Sequence, residues 1–342
     1  MDKLFNKAIT IADIHFGRSG NSATANKDNL DFLQWAIDEA KTFGADTCIM
    51  LGDWHDNRHS LHVSTMLASL DGMDLLNNNF KTIWWLVGNH DLLYRDRRDA
   101  ASIEFSRYLE NVKIIREPTT IEDVTFLPWL LEGEHKTIKT KSRYIFSHLE
   151  LPNFLMNEKS GEFQEKEDSP DRKMFKASDY VFTGHFHMRQ FKENICYTGN
   201  AMPFNFSDDG DDDKGIMLLE YGKEPSFKKW PGQPLYRSMK LSEMVSEPDK
   251  LLRQNMTVRV SIDLPLRYEE AQEIRDELIK VYSLRKIELI NGTIEEQDFV
   301  DPDIKFRSVD QIIIEGLSDV DSAELNNQRL IDIYLSLPKY TI

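Results

Sequence analysis

Five apolar runs in this chain each end in a cluster of carboxylate, imidazole or amide side chains, and that recurrence limits the folds open to it. The clearest is Ile83-Trp84-Trp85-Leu86-Val87, short and bulky enough for a buried strand, followed at once by Gly88 and the triplet Asn89, His90 and Asp91. In the same way Ala8–Ala12 runs into Asp13-Ile14-His15, and Thr47–Leu51 into Gly52-Asp53-Trp54-His55-Asp56. Further on, Tyr144–Ser147 delivers His148, and Tyr180–Thr183 delivers Gly184-His185-Phe186-His187. A turn at a strand's carboxyl end puts these polar groups at the mouth of a sheet, where open α/β sheets bind ligands. One histidine beside a strand is commonly structural. Five loaded strand ends in one chain point to a shared site.

The pattern around these runs gives the organisation. Up to about residue 115 strands alternate with helices: Asp31–Phe43 has helical spacing at Leu33, Ile37 and Ala40, and further helices fit Leu61–Leu76 and Ala101–Leu109. From Val112 the pattern changes to short strands, Val112–Ile115, Val124–Leu127, Tyr144–Ser147, Tyr180–Thr183, Ile195–Thr198 and Gly215–Glu220. Such a series after an α/β start suits an α/β (α+β) fold in which a two-sheet β-sandwich is flanked by helices. Trp230-Pro-Gly-Gln-Pro234 reads as a boundary. Beyond it come strand Thr257–Ile262, helix Tyr268–Tyr282 and strand Lys286–Ile290, a small C-terminal α/β unit, and then a helical tail. The expected domains are 1–230, 235–300 and 305–342. In the tail, Ser308-Val-Asp-Gln311 and Asp321-Ser-Ala-Glu324 have capping-box form, so each should open a helix. In the second of these, Leu330, Ile331, Ile333, Tyr334, Leu335 and Leu337 sweep a broad apolar arc, enough for packing inside its own domain or for a partner. Glu158–Arg172 reads as a polar, mobile loop, and the acidic run Asp208–Asp213 as a solvated loop, with ion binding as the alternative.

Composition narrows the partners. The net charge of −16 argues against a protein that grips nucleic acid over its whole surface, leaving local basic patches as the alternative: Arg95, Arg97 and Arg98, or Lys136, Lys139, Lys141 and Arg143. No run has the length of a membrane span, and the start lacks a signal-peptide core, so a cytoplasmic protein without a membrane partner is expected, in the host cytoplasm if viral. Cys48 and Cys196 lie in apolar segments and read as reduced core residues.

Asp13, His15, Asp53, Asn89, His148, His185 and His187 supply oxygen and nitrogen donors without a cysteine. That mixture suits a dinuclear site for borderline divalent ions such as Mn²⁺, Fe²⁺ or Zn²⁺, because an Mg²⁺ site would use fewer imidazoles. At these residues the chain resembles the calcineurin-like metallophosphoesterases, matching D-x-H, G-D-x-x-D, G-N-H-D/E, H and G-H-x-H in order from Asp13 to His187. The resemblance implies that Asp13, His15, Asp53 and His187 hold one metal, that Asp53 bridges, and that Asn89, His148 and His185 hold the second. It makes His90 the group that protonates or steers the leaving oxygen, with Asp91 fixing its orientation. Asp56 would stand behind the ligands.

Tyr197-Thr-Gly-Asn-Ala-Met-Pro-Phe-Asn-Phe-Ser207 and Asp13-Ile-His-Phe-Gly-Arg18 further resemble the SbcD-type nucleases of double-strand-break repair, most closely in layout the short phage recombination endonuclease subunits. That resemblance implies a Mn²⁺-dependent exonuclease on DNA duplex ends with single-strand endonuclease activity. It also implies a homodimer within a heterotetramer with a coiled-coil, SbcC-type ATPase. Residues 235–300 would then be a DNA-capping domain and the tail the ATPase-binding element. The chain has no G-x-x-x-x-G-K-[ST] segment, so ATP dependence would come from that partner. Arg18 and Arg95 are candidates for the second rank of the site or for substrate contact. So is His55, which departs from the aromatic residue usual there and either packs or reaches substrate. A stand-alone metallophosphatase or small-molecule phosphodiesterase is the alternative reading.

Overall fold

The computed structural model describes residues 3–138, 141–156, 162–164, 170–291 and 327–336. Met1–Gly292 and Thr293–Ile342 form separate compact units. In the first unit, β1 (Lys7–Ile11), β2 (Thr47–Met50), β3 (Thr82–Leu86) and β4 (Val112–Ile115) run parallel. With the antiparallel β11 (Gly215–Glu220) and β12 (Ser226–Lys229) they make a six-stranded sheet in the order β12-β11-β1-β2-β3-β4. A second six-stranded sheet follows the order β5-β6-β7-β8-β10-β9. Its strands are β5 (Thr119–Ile121), β6 (Val124–Leu127), β7 (Tyr144–His148), β8 (Tyr180–Gly184), β9 (Gln190–Lys192) and β10 (Ile195–Tyr197). The expected mixed α/β sandwich is therefore the architecture observed.

The central strands read as continuous apolar runs because both of their faces are covered. One core lies between the sheets, with Ala8, Ile49, Leu51 and Leu86 meeting Phe126, Tyr144, Phe146 and Phe182. A second joins the outer face of the first sheet to α2 (Ala23–Phe43) and α3 (Val63–Asn79), through Phe32, Leu33, Ile37, Met73 and Leu76. A third covers the other face of the second sheet with Leu149, Phe154, Phe175 and Phe186.

Two helical expectations are corrected. Helix α2 begins at Ala23, eight residues before Asp31. Its first turns carry Asn26, Asp28 and Asn29, which suggest a loop but point inward, Asn26 accepting from Gly17 N at 2.9 Å. Ala101–Leu109 is not an α-helix but a short 3-10 segment, Glu104–Tyr108. The Leu92–Ala101 bridge and Ser102 N donating to the Asp91 carbonyl hold its start extended, and the Glu104 carboxylate is taken by Arg116.

The third sheet joins β13 (Leu235–Lys240), β14 (Met256–Ile262) and β15 (Lys286–Asn291) in parallel. Strand β14 alternates, Val258, Val260 and Ile262 being buried and Thr257, Arg259 and Ser261 partly open. The buried side packs on α4 (Leu241–Ser246) and α6 (Tyr268–Tyr282) in a core of its own. In the second unit Asn327–Ser336 is an α-helix, within the expected second tail helix; both capping boxes lie outside the described residues.

Candidate metal centre

The loops after β1 and β2 extend the parallel pairing past the sheet. Asp13 N donates to Gly52 O, Ile14 N and His15 N to Asp53 O, and Phe16 N to Trp54 O, all at 2.7–3.2 Å. This carries Asp13, His15 and Asp53 side by side to the sheet's mouth, all nearly inaccessible. The backbone is bent to do it: Asp13 (φ 49°), His15 (φ 51°), Asp53 (φ 54°) and His185 (φ 90°) occupy the left-handed region that L-residues avoid. Such conformations persist where the surrounding structure enforces them, and they cluster at functional sites. Gly88 must be glycine because a Cβ there would stand 2.2 Å from Asp53 Oδ1.

From the second sheet, β7 ends in His148 and β8 leads directly into His185 and His187, so the two sheets meet over the site. Asp13, His15 and His187 each bring a ligand atom within 4.8 Å of the others, and so do Asp53, His148 and His185. Asp53 Oδ2 lies between the groups, 3.8 Å from His15 Nε2 and 3.3 Å from His148 Nε2. Asn89 Oδ1 is 2.9 Å from both His148 Nε2 and His185 Nδ1. All seven sequence candidates for metal ligation converge.

The donor chemistry fits divalent ions. His148 Nδ1 donates to Leu51 O at 2.7 Å, which leaves its Nε2 lone pair facing the oxygens of Asp53 and Asn89. Acceptors turned on one another need a proton or a cation between them. Both ring nitrogens of His15 are buried without an aligned hydrogen bond, although Nδ1 lies 3.2 Å from Asp56 Oδ1. The charge balance leans the same way. Burial alone would lower the His148 imidazole, but the charge and hydrogen bond of Asp53, with Asp13 behind, push it up to about 9. Burial and the neighbouring Asp53 push Asp91 up to about 7, and burial raises Asp13 as well. The protein alone thus leaves buried negative charge that cations would neutralise.

The residues around the ligands sort differently from the sequence expectation. Asp91 does not orient His90. Its carboxylate accepts from Gly88 N (2.9 Å), Asp53 N (3.0 Å), Trp54 N (3.0 Å) and His55 N (3.4 Å), lacing the loops after β2 and β3 together. His90 Nδ1 is instead held by the Asp56 carbonyl at 2.7 Å, and its backbone N–H donates to Asp53 Oδ1 at 2.8 Å. Its ring is half-buried. His55 packs and does not reach substrate: it is fully buried between Ser69 and Ser102, each 2.8 Å from a ring nitrogen. Burial, with the charge of His15 added, pushes it down to about 3. Arg18 is buried too, paired with Asp28 and stacked 4.7 Å over Phe204, whereas Arg95 is exposed. Of its neighbours, Arg98 is spent on Glu134, while the exposed Arg97 lies over Tyr94 and pairs with Asp99. In the second candidate patch Arg143 pairs with Asp179 at 2.7 Å, and Lys139 lies outside the described residues.

Sequence reading missed Glu150, 3.7 Å from His185 Nε2, and Trp129, whose ring lies 5.1 Å from that of His185. It also missed Phe204, edge-on to His15 and His187. The acidic run is not a solvated loop. Asp208 is buried, Asp211 and Asp208 surround a fully buried Lys214, Asp212 pairs with Arg237 and Asp213 with Arg189. A run of acids usually marks a solvated face, and the local signal against it is the apolar strand that starts directly after Lys214, at Gly215.

The family model for calcineurin-like phosphoesterases matches residues 7–200. The chain belongs to that family. This phosphoesterase is also 26% identical over 313 residues to exonuclease subunit 1 of Enterobacteria phage T4, a match covering 85% of this chain and 87% of that protein. Among solved structures, the Pseudomonas putida nuclease MPE is similar over 55% of this chain and 66% of its own, with a TM-score of 0.29 and 16% identity. The phosphoesterase YfcE of E. coli is similar over 63% and 88%, with a TM-score of 0.30 and 16% identity. Calcineurin-like phosphoesterases are hydrolases of phosphoesters built on a dinuclear metal site, and the Asp and His clusters of this chain supply donors for one. No described helix is long and apolar enough to cross a membrane.

Proposed function

We propose that this phosphoesterase is the DNA nuclease subunit of a double-strand-break repair or recombination complex, acting with Mn²⁺ on duplex ends and on single strands. The observation that carries the reading is the reach of the similarity to exonuclease subunit 1, which at 85% of the chain extends beyond the family match ending at residue 200. A single-domain phosphatase would need neither the third sheet nor the tail. In this reading residues 235–300 cap the DNA, and 305–342 bind a coiled-coil ATPase of the SbcC type. Two copies of the nuclease pair within the heterotetramer.

Asp13, His15, Asp53 and His187 would hold one ion, and Asn89, His148 and His185 the other with Asp53 shared. A pair of divalent ions held there would polarise the phosphoryl group and lower the pKa of water enough to make a nucleophile near neutral pH. The chain's own contribution lies in position and proton handling. His90, fixed through Nδ1 by the Asp56 carbonyl, offers Nε2 to the leaving oxygen. Burial, outweighing Asp53, lowers its pKa.

The test is to assay the purified protein with Mn²⁺ on labelled duplex DNA, p-nitrophenyl phosphate and bis-p-nitrophenyl phosphate. DNA cleavage is expected, abolished in Asp53→Asn with loss of bound metal and in His90→Ala with the metal retained. Turnover of the monoester alone would sink the nuclease reading. Equal metal loss in both variants would remove the role given to His90.

A further inference from the structure

Lys214 is fully buried, and its ammonium sits beside the metal centre without touching it. A buried ammonium costs several kcal/mol unless ion pairs and hydrogen bonds replace water, and here they do. Nζ donates to the backbone carbonyl of His187 at 2.6 Å, hydrogen-bonds the Asp211 carboxylate, and lies 3.8 Å from Asp208 Oδ1. The other oxygen of Asp208 accepts from Phe204 N at 2.7 Å and from Asn205 N at 3.4 Å. One cation thus anchors two segments: the carbonyl of a candidate metal ligand, and the turn that carries Phe204. The Phe204 ring in turn stands edge-on to His187 (5.2 Å) and His15 (5.4 Å). Both anchored segments border the Asp13–His15–His187 group. None of these contacts reaches Asp53, His148 or His185.

We propose that Lys214 is a positioning residue for the Asp13–His15–His187 metal site, fixing His187 through its carbonyl and the Phe204 wall through Asp208, so that its loss weakens one of the two ion sites selectively. The inference rests on the two-ion reading of the centre and not on DNA being the substrate. Groups that orient a metal ligand typically change metal affinity by roughly 10- to 100-fold when removed. Asp212 provides a control, because it ties the same loop to Arg237 on β13 and does not contact the Lys214 ammonium.

The experiment titrates Mn²⁺ into the metal-free full-length protein by calorimetry, with circular dichroism to check folding. The variants are Lys214→Met, Asp211→Asn and Asp212→Asn, and Lys214→Met is also made in His187→Ala and His185→Ala backgrounds. The proposal expects two binding steps in the parent chain, with one weakened roughly 10- to 100-fold in Lys214→Met and in the same direction in Asp211→Asn. Asp212→Asn should leave both steps unchanged. Lys214→Met should weaken Mn²⁺ binding further in the His185→Ala background and add nothing to His187→Ala, because contacting sites couple and separate ones add. Unchanged steps in a folded Lys214→Met protein, or equal weakening of both, overturn the proposal. If Lys214→Met does not fold, Asp211→Asn decides: one step selectively weakened supports the assignment, and two unaltered steps overturn it. A protein that binds two ions but cuts no DNA would end the nuclease reading and leave this inference standing.

Discussion

His55 carries an unbroken run of hydrogen bonds. Trp54 Nε1–H donates to Ser69 Oγ at 2.7 Å, and the His55 ring spans Ser69 Oγ through Nε2 and Ser102 Oγ through Nδ1, each at 2.8 Å. A neutral imidazole protonated at Nδ1 would let the Ser69 hydroxyl donate to Nε2 and continue that run, which agrees with the depressed pKa. Replacing it by an apolar aromatic, His55→Phe, leaves the buried Ser69 hydroxyl and the half-buried Ser102 hydroxyl short of a partner, so stability should fall by about 1–3 kcal/mol. Metal content and cleavage should persist; chemical denaturation and metal analysis check both, and lost activity with metal intact would mean His55 acts on substrate after all. His148 makes a second prediction at this scale. Raised to about 9 without an ion, it must shed its proton to become a ligand. Below pH 9 Mn²⁺ therefore competes with a proton, and apparent affinity should climb about tenfold per pH unit from 7 towards 9 for one proton displaced. Calorimetry in buffers of different ionisation enthalpy reads the released proton directly; no buffer dependence at pH 7 would refute the exchange.

The first half of helix α3 has its polarity reversed, although Met73 and Leu76 further on join the core. Its buried face includes Thr65, Ser69 and Gly72, packed where Gly72 leaves no room for a Cβ against Leu33, Phe16 and Trp54. Its open face presents Val63, Met66, Leu67 and Leu70, between 38% and 65% exposed at i, i+3, i+4 and i+7 spacing. An apolar stripe turned outward suits an interface. In the proposed homodimer it would be the contact, so Leu67→Glu should convert a dimer to a folded monomer in light scattering. A parent chain that is monomeric at micromolar concentration, with the ATPase present, would reject that role. The same helix shows what the sequence can and cannot disclose. The apolar positions on 61–76 and the strand ends with their ligands were legible, because period and turn chemistry are local properties. What lay beyond reach depends on partners distant in the chain. Asn26 and Asp28 look like loop residues until Gly17 and Arg285 are found beside them. The Ala101–Leu109 segment has helical spacing but is drawn out by Asp91 and Arg116. The burial of Lys214 likewise depends on two aspartates and a carbonyl that close round it only in the fold.

Across the whole molecule, the net charge of −16 excluded a basic coat but could not reveal how the acids are used. Several of them are occupied internally: Asp28 by Arg285 of β15's leading turn, Asp212 by Arg237 of β13. Those pairs fasten the third sheet to the rest of its unit. The division of the candidate metal ligands between the two large sheets has a further consequence, for the order in which the chain gains its chemistry. Asp13, His15, Asp53 and Asn89 belong to one sheet, His148, His185 and His187 to the other, and 172 residues separate Asp13 from the His185 amide it binds. Contacts so remote in sequence form late in folding. Neither sheet alone offers more than part of a coordination shell, so ions gain their hold only after the sandwich has closed. Mn²⁺ should therefore slow unfolding and raise the midpoint while leaving the refolding rate nearly unaltered. Stopped-flow fluorescence from the tryptophans, with and without the ion, measures this, and accelerated refolding would place the centre in the nucleus instead. With that order, a nascent or damaged chain holds no hydrolytic power, and the phosphoesterase arms itself only as its last long-range contacts form.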